Sequence, residues 1–227
     1  MAHERSNRIR AWRVCVVTGA DVACGRSHLD VARAAAAGGA GAVQLRAKDA
    51  DTRELLALAR ELIAALRPRG VALIVNDRVD VAIAADADGV HLGPDDLPPD
   101  VARRLLGPGR ILGVSARTAA GARAAVAAGA DYLGVGPIRE ARGTKPDAPA
   151  PVGPVRITEL RRIVSIPILA IGGIDAASVP AAIEAGADGV AVVSAVSGAE
   201  DMVAATVGIV AAVRKATKAT RRRAPAE

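Results

Sequence analysis

Residues 122–136 read ARAAVAAGADYLGVG, and residues 181–194 read AAIEAGADGVAVVS. Each stretch is an alanine-rich segment, then a turn containing glycine, then a short run of apolar residues. Glycine just past a helix adopts the left-handed conformation at little cost and so ends the helix. The run that follows is too short for a helix and is rich in valine, which is typical of a buried parallel strand. Each stretch therefore predicts a helix, a turn and a strand, in that order.

The same pattern occurs at residues 32–46 and 80–93, and other apolar runs extend it along the chain. The runs predict eight strands, near Arg13–Thr18, Ala42–Arg46, Ala72–Val75, Gly89–Leu92, Ile111–Val114, Tyr132–Val135, Ile168–Ile171 and Gly189–Val193. The helical segments between and after them lie near Leu29–Ala37, Thr52–Leu66, Val79–Ala85, Val101–Leu106, Ala119–Ala128, Val155–Val164, Ala176–Ala185 and Asp201–Ala216. Strict alternation predicts a parallel sheet with right-handed crossovers, and eight units favour an α/β fold of the closed (β/α)8 TIM-barrel type.

The length of 227 residues suits one such barrel, for which about 250 residues are typical. We therefore expect a single barrel domain at residues 13–216, an N-terminal extension at residues 1–12 and a basic C-terminal tail at residues 217–227. The longest irregular segment is Gly136–Pro154, and a loop of that length in a compact domain is usually functional.

Composition narrows the class of protein. Hydrophobic residues make up 51% of the chain but aromatic residues only 1%, so alanine, valine, leucine and isoleucine must fill the interior. Two cysteines, Cys15 and Cys24, cannot form a disulfide framework, which favours a reducing cytoplasmic setting. No apolar run approaches the roughly 20 residues of a membrane span, and the first ten residues lack the apolar core of a secretory signal.

The net charge of +6 is concentrated at one end of the chain. Residues 214–227 carry +5 of it, from Arg214, Lys215, Lys218, Arg221, Arg222 and Arg223 against Glu227. We interpret this segment as a solvated extension and regard binding to nucleic acid as the weaker alternative. The expected partners are small molecules, and the sequence does not indicate an oligomeric state.

Active sites of such barrels lie at the carboxyl ends of the strands, so the residues that follow each strand are the candidates. Gln44, Arg46 and Lys48 accompany the second strand and point the same way if the alternation of a strand continues. Arginine offers a two-pronged fork for phosphate and lysine a point charge, so these residues predict an anion site. A structural cluster of ion pairs is the alternative.

Acidic residues follow the third and fourth strands. Asn76 and Asp77 come directly after the third, and Asp95 and Asp96 come soon after the fourth. Mg²⁺ commonly takes one or two carboxylates together with phosphate oxygens and water, so Asp95 and Asp96 could join Asp77 around this cation. The alternatives are a helix cap at residues 76–77, a polar turn at residues 95–96, and a structural role for the nearby His91.

Small and polar residues follow the last four strands. Ser115 could donate to a phosphate or bond to the local backbone, and the loop holding Thr144 and Lys145 could fold over a phosphate or be a basic surface loop. Gly173 follows the seventh strand, and Val193 and Ser194 end the eighth. Many barrels bind phosphate with backbone N–H groups of these two loops, although a tight turn would look the same.

The motifs taken together resemble the thiamine phosphate synthase family. They run in order from about Val14 to Val196 and comprise QLRAK (44–48), ND (76–77), HLGPDDLP (91–98), GVSARTAAGARAAVAAGADYLGVGPI (113–138), TKPDA (144–148), IGGI (171–174) and VVSAV (192–196). Pro94 and Arg117 depart from the family, in which glutamine and histidine are usual at these places. The loop after the sixth strand, REARGTK, also looks about one residue longer than in the family.

The resemblance implies a transferase of thiamine biosynthesis that joins a hydroxymethylpyrimidine diphosphate to a thiazole phosphate and releases diphosphate. It implies Mg²⁺ held by Asp77 and Asp96, and a pyrimidine contact from Gln44. The diphosphate would be held by Arg46, Lys48, Asn76, Ser115 and Lys145, of which Arg46, Lys48, Ser115 and Lys145 would be catalytic. The thiazole phosphate would be held by Thr144, Gly173, Val193 and Ser194.

Two other enzyme functions stay open at this point. A thiazole tautomerase of the same superfamily would need a catalytic histidine at the barrel mouth but not the paired carboxylates. Another phosphate-binding barrel enzyme, such as an isomerase, would need an acid–base pair. The sequence indicates no credible pair of nucleophile and base, whereas a dissociative alkyl transfer needs none.

Overall fold

Short apolar runs form eight parallel strands that pair in chain order, and the eighth closes on the first. The computed structural model describes residues 2–19, 25–140 and 150–223. The strands are β1 (Val14–Val17), β2 (Ala42–Leu45), β3 (Ala72–Asn76), β4 (Gly89–Leu92), β5 (Ile111–Ser115), β6 (Tyr132–Val135), β7 (Ile168–Ile171) and β8 (Gly189–Val192). The (β/α)8 prediction is confirmed, and each strand boundary lies within one residue of its predicted place.

Helices connect the strands and surround the barrel. They are α1 (Ala2–Trp12), α2 (His28–Ala37), α3 (Thr52–Leu66), α4 (Val79–Ala84), α5 (Pro99–Leu106), α6 (Ala119–Ala127), α7 (Gly153–Arg161), α8 (Val179–Glu184), α9 (Ser194–Ser197) and α10 (Met202–Arg223). Small buried side chains of alanine and valine fill the layer between strands and helices. None of the helices in the described part of the chain combines the length and the apolarity that a membrane span requires.

The sequence did not predict α1 or α9, and it placed the end of the last helix too early. The helix that was predicted to end at Ala216 continues to Arg223. Residues 217–223 contain alanine, lysine and arginine, which favour helix, and no glycine or proline interrupts them. Residues 217–223 therefore extend α10, whereas 224–227 lie outside the described residues. The division into extension, barrel and tail stays a proposal.

Helix α1 closes the amino end of the barrel. Its Ile9 and Trp12 are buried against side chains that point into the barrel, including Cys15 and Tyr132. The rings of Trp12 and Tyr132 meet edge to face, with their centroids 5.9 Å apart. Because this end is plugged, the carboxyl end of the strands is left as the mouth.

The aspartates of the repeated pattern fasten α1 to the barrel. Each lies just before a strand, accepts a backbone N–H from the neighbouring strand and pairs with an arginine of α1. Asp88 binds Leu73 N and Arg8, Asp131 binds Leu112 N and Arg5, and Asp188 binds Ile168 N and Arg10. The aspartate that recurs just before β4, β6 and β8 thus has a structural role at the end opposite the mouth.

Replacing Asp131 by asparagine is expected to lower the free energy of unfolding by about 3 kcal/mol, because both Arg5 and Arg103 lose a buried partner. Denaturant unfolding measures this effect, and kcat should be unchanged. Asp100→Asn is the control, because its pair with Arg104 is exposed and should contribute little to stability. Equal effects of the two substitutions would contradict the assigned role of Asp131.

Candidate active site

The carboxyl ends of β2 and β3 bring amide and charged side chains together. Gln44 is buried, and its Nε2 donates to Asn76 Oδ1 at 2.7 Å. The Lys48 ammonium lies 3.5 Å from Asp77 Oδ2 in an ion pair with a half-exposed lysine. Arg46 is held through its backbone, whose N–H donates to the buried Thr18 hydroxyl at 3.2 Å. The ion pair of Lys48 fits the alternative of a structural ion-pair cluster. Its partner, Asp77, is however also a predicted metal ligand.

Asp77 has a backbone conformation that few non-glycine residues adopt. Its φ is +64°, and its N–H donates to the carbonyl oxygen of His91 at 2.9 Å. Helix α4 begins after Arg78, which makes no side-chain cap, so the alternative that Asn76 or Asp77 caps this helix is wrong. Strain of this kind is often found at functional sites, where it fixes the direction of a side chain.

Asp96 lies beside Asp77 and is held by its own loop. Its Oδ2 accepts the N–H of Gly93 at 2.6 Å. Burial, together with a hydrogen bond and charge repulsion from Asp96, raises the pKa of Asp77 to about 6, although Lys48 opposes the shift. Two carboxylates that share a site in this way gain from a cation between them.

The raised pKa predicts a pH dependence of stability without metal. Between about pH 4 and pH 6 the folded state holds a proton on Asp77 that the unfolded state has lost, so this contribution to stability falls as pH rises through 6. Asp77→Asn removes this titration, so the free energy of unfolding of the variant relative to the wild type should increase from pH 4 to pH 7 by about 1 kcal/mol, since solvent screens a carboxyl that is only partly buried. Denaturant unfolding with a chelator present measures this difference, and parallel pH profiles would contradict the shift.

His91, Ser115 and Tyr132 form a chain of hydrogen bonds inside the mouth. His91 Nδ1 lies 3.0 Å from the Tyr132 hydroxyl, and His91 Nε2 lies 3.0 Å from Ser115 Oγ. Burial lowers the pKa of His91 to about 4, so the ring is neutral at pH 7. Because Ser115 Oγ bonds to His91, the alternative that this hydroxyl bonds to the local backbone is wrong. The sequence interpretation missed this contact between Ser115 and His91, because it depends on the register of β4, β5 and β6.

A separate pocket of about 300 Å³ lies at the ends of β7 and β8. Its lining comprises Glu140, Gly172, Gly173, Ile174, Asp175, Ala191, Val192, Val193, Ser194 and Ala195. Gly173 has a φ of +65°, and a Cβ atom there would lie 2.7 Å from the Glu140 carbonyl oxygen. Val193 precedes the first turn of α9. This pocket is a small cleft edged by backbone, as a phosphate site of the barrel type requires.

Ten of the predicted site residues lie in the described part of the chain, and all lie near or after the carboxyl end of a strand. They are Gln44, Arg46, Lys48, Asn76, Asp77, Asp96, Ser115, Gly173, Val193 and Ser194. Direct contacts link Gln44 to Asn76, and Lys48 to Asp77. Thr144 and Lys145 lie outside the described residues.

The sequence interpretation missed His28. Its Nδ1 lies 2.8 Å from Thr18 Oγ1, the same hydroxyl that accepts the Arg46 N–H, and partial burial lowers its pKa. The available signal was a polar Thr18 directly after β1, which no hydrophobic pattern explains.

Arg117 follows β5 and is one of the residues that depart from the family. Its side chain donates to the carbonyl oxygen of Ala150 at 2.8 Å.

Known proteins share the sequence that builds this mouth. The family model described as thiamine monophosphate synthase matches residues 14–196. Thiamine-phosphate synthase of Chloroflexus aurantiacus is 56% identical over 167 residues, which cover 74% of this chain and 76% of that protein. The enzyme of the same name from Moorella thermoacetica is 50% identical over 174 residues, covering 75% and 82% of the two chains.

A solved structure extends the likeness to three dimensions. Thiamine phosphate pyrophosphorylase from Pyrococcus furiosus superposes with a TM-score of 0.83 and 36% sequence identity, over 92% of this chain and 98% of that one. The family match begins at the first residue of β1 and ends inside α9, so it spans every strand and every loop of the mouth. This barrel belongs to the thiamine monophosphate synthase family.

Proposed function

We propose that the protein is a thiamine phosphate synthase, which joins a hydroxymethylpyrimidine diphosphate to a thiazole phosphate and releases diphosphate. The observation that carries this proposal is the match of the whole mouth to enzymes of that name, at 56% identity in one case. The reaction needs a cationic and metal-binding site for one substrate and a phosphate site for the other. The residues that we propose for the two sites follow strands at the same end of this barrel, which supports the proposal.

Mg²⁺ fits the residues present. Within residues 2–19, 25–140 and 150–223 no group of three or more His, Cys, Asp or Glu side chains is suited to a metal ion. The neighbouring side chains of Asp77 and Asp96 instead offer two carboxylates. Mg²⁺ commonly completes such a pair with phosphate oxygens and water. When bound there, the ion would neutralise charge on the diphosphate of the substrate.

The side chains after β2, β3 and β5 would bind the same diphosphate. Arg46 and Lys48 supply positive charge, and Asn76 and Ser115 supply neutral donors, while Lys145 is proposed from the sequence alone. Lys48 is already near Asp77, so it would remain beside a metal-bound phosphate without a large movement. Donors fixed before the reaction stabilise the charge of a departing group at little reorganisation cost.

The chemistry is a transfer between two substrates that are held close together. The bond from the pyrimidine methylene carbon to the diphosphate oxygen breaks, and its electron pair leaves with the diphosphate. The nitrogen lone pair of the thiazole then forms the new carbon–nitrogen bond, while the aminopyrimidine ring stabilises the developing cation. Gln44 would contact the pyrimidine, and Thr144, Gly173, Val193 and Ser194 would hold the thiazole phosphate, so that proximity lowers the barrier.

The direct test is to incubate the purified protein with both substrates and Mg²⁺ and to quantify thiamine phosphate and diphosphate. We expect equal amounts of the two products, no product when either substrate is omitted, and little product with excess chelator. No thiamine phosphate under any of these conditions would refute the proposal.

The tautomerase alternative requires a histidine at the mouth, and His91 meets that requirement by position. Both of its ring nitrogens are, however, already bonded within the protein, to Tyr132 and Ser115. The matching relatives also carry the synthase name. Isomerisation of a thiazole carboxylate phosphate without any pyrimidine substrate would favour the tautomerase instead.

We further propose that the enzyme works in the cytoplasm on these small molecules with Mg²⁺ as its cofactor. Cys15 is a free thiol in the described part of the chain, as is usual for proteins of a reducing compartment.

A further inference from the structure

The register of β4, β5 and β6 places three polar side chains in line from the barrel interior to the mouth. Tyr132 begins β6 deep in the barrel, His91 lies on β4, and Ser115 ends β5 at the exposed rim. Two glycines leave room for the rings. A Cβ on Gly113 would lie 2.2 Å from Tyr132 Cζ, and one on Gly134 would lie 2.9 Å from His91 Cε1.

The Tyr132 hydroxyl has a restricted choice of partners. The side chain is 1% exposed and packs among apolar residues of the barrel interior and the Cys15 thiol. The phenol stays protonated, because burial raises its pKa well above 10. Its hydrogen must be donated to an acceptor, since a buried donor without one is costly. His91 Nδ1, at 3.0 Å, is the acceptor that the geometry offers.

This donation fixes the tautomer of His91. If Nδ1 accepts from Tyr132, the neutral ring carries its hydrogen on Nε2. Nε2–H then donates to Ser115 Oγ at 3.0 Å, and the hydrogen of the Ser115 hydroxyl is left to point elsewhere. The opposite arrangement, in which Ser115 donates to His91, would leave the Tyr132 hydrogen inside an apolar cluster.

We infer that Tyr132 and His91 are positioning residues that make Ser115 a hydrogen-bond donor to a bound anion rather than a nucleophile. The serine–histidine contact resembles the start of a hydrolase dyad, but in a dyad the histidine accepts the serine proton. Here the hydrogen bonds run outward from Tyr132 to the mouth. The identity of the anion as the diphosphate of the pyrimidine substrate rests on the proposed function, whereas the direction of the hydrogen bonds does not.

The first test is the ¹⁵N NMR spectrum of histidine-labelled protein without substrate, with His91→Gln used to assign the signal. We expect His91 to be protonated on Nε2 and bare on Nδ1. In the Tyr132→Phe variant, the His91 ring should lose its preference for protonation on Nε2. A ring protonated on Nδ1 in the wild type would overturn the inference, and so would covalent labelling of Ser115 by a fluorophosphonate. Because this test needs no substrate, it stands even if no thiamine phosphate is formed.

The second test separates positioning from simple structural damage. Tyr132→Phe should lower kcat/KM for the pyrimidine diphosphate about 3- to 10-fold, the usual effect of one neutral hydrogen bond. The same substitution in a Ser115→Ala background should have no further effect, because the serine it orients is gone. Trp12→Phe is the control: it disturbs the packing of the Tyr132 ring but should leave kcat/KM and the tautomer unchanged. If Tyr132→Phe lowered kcat/KM equally in the wild type and in the Ser115→Ala variant, the inference would be contradicted.

Discussion

Replacing Asp77 by asparagine is expected to lower kcat by at least about 100-fold to 1,000-fold while the fold is retained, a loss comparable to removing one oxyanion donor. Asparagine tolerates a φ of +64° better than most residues, so the backbone should stay in place. The variant should be at least as stable as the wild type at neutral pH, because the raised pKa shows that the ionised carboxylate is held at a cost. Steady-state kinetics and denaturant unfolding measure the two effects.

Asp96→Asn should give the same loss of activity, since the two carboxylates act on one ion. Asp95→Asn is the matched control. Asp95 is the exposed neighbour of Asp96, so this substitution removes the same charge from the same loop. We expect this control to keep kcat within about twofold, as is usual for surface substitutions away from special features. Equal losses for Asp95 and Asp96, or wild-type turnover in Asp77→Asn, would remove the assignment of the metal ligands.

Replacing Gly173 by alanine is expected to raise KM for the thiazole phosphate at least about 10-fold. A methyl group there would approach the Glu140 carbonyl oxygen and the Arg139 Cβ within 2.8 Å, so the loop lining the pocket must move. Movement of this loop would separate the bound phosphate from the backbone N–H groups that we propose as its donors. The KM for the pyrimidine diphosphate should change much less, because that site lies after other strands.

Gly70→Ala is the control for this prediction. Gly70 has a φ of +69°, close to the +65° of Gly173, but a Cβ there would meet no atom within 4 Å. Both substitutions pay a similar backbone cost, of about 1–2 kcal/mol, but only Gly173→Ala crowds the pocket. A rise in KM of the same size in both variants would show that lost stability, and not the pocket, is responsible.

The strands could be predicted closely because each is a short apolar run, and several of them follow a turn that contains glycine; both signals are local. Helix α1 could not be predicted, because its eleven residues are mostly polar and, among its described side chains, only Ile9 and Trp12 are buried. The fit of these two side chains depends on the closed barrel, which no local pattern describes. The end of α10 was missed because charge was taken to indicate an extension, whereas lysine and arginine also favour helix.

The candidate site was predictable as far as residue types after each strand reveal chemistry. The pairing of Lys48 with Asp77 and the approach of Asp96 follow from neighbouring strands ending at one rim. The link from His91 to Ser115 was not predicted, because it requires the register in which His91 pairs with Gly113, and Ser115 with Gly134. The contact of His28 with Thr18 likewise joins a helix to a strand across a loop.

A diffraction experiment on crystals soaked with Mn²⁺ and diphosphate tests the central claim most directly, because the anomalous signal locates the ion. We expect one strong peak between the carboxylates of Asp77 and Asp96, with diphosphate oxygens completing the shell of the ion and reaching towards Arg46 and Ser115. A peak at any other place, or diphosphate bound away from these two aspartates, would contradict that claim.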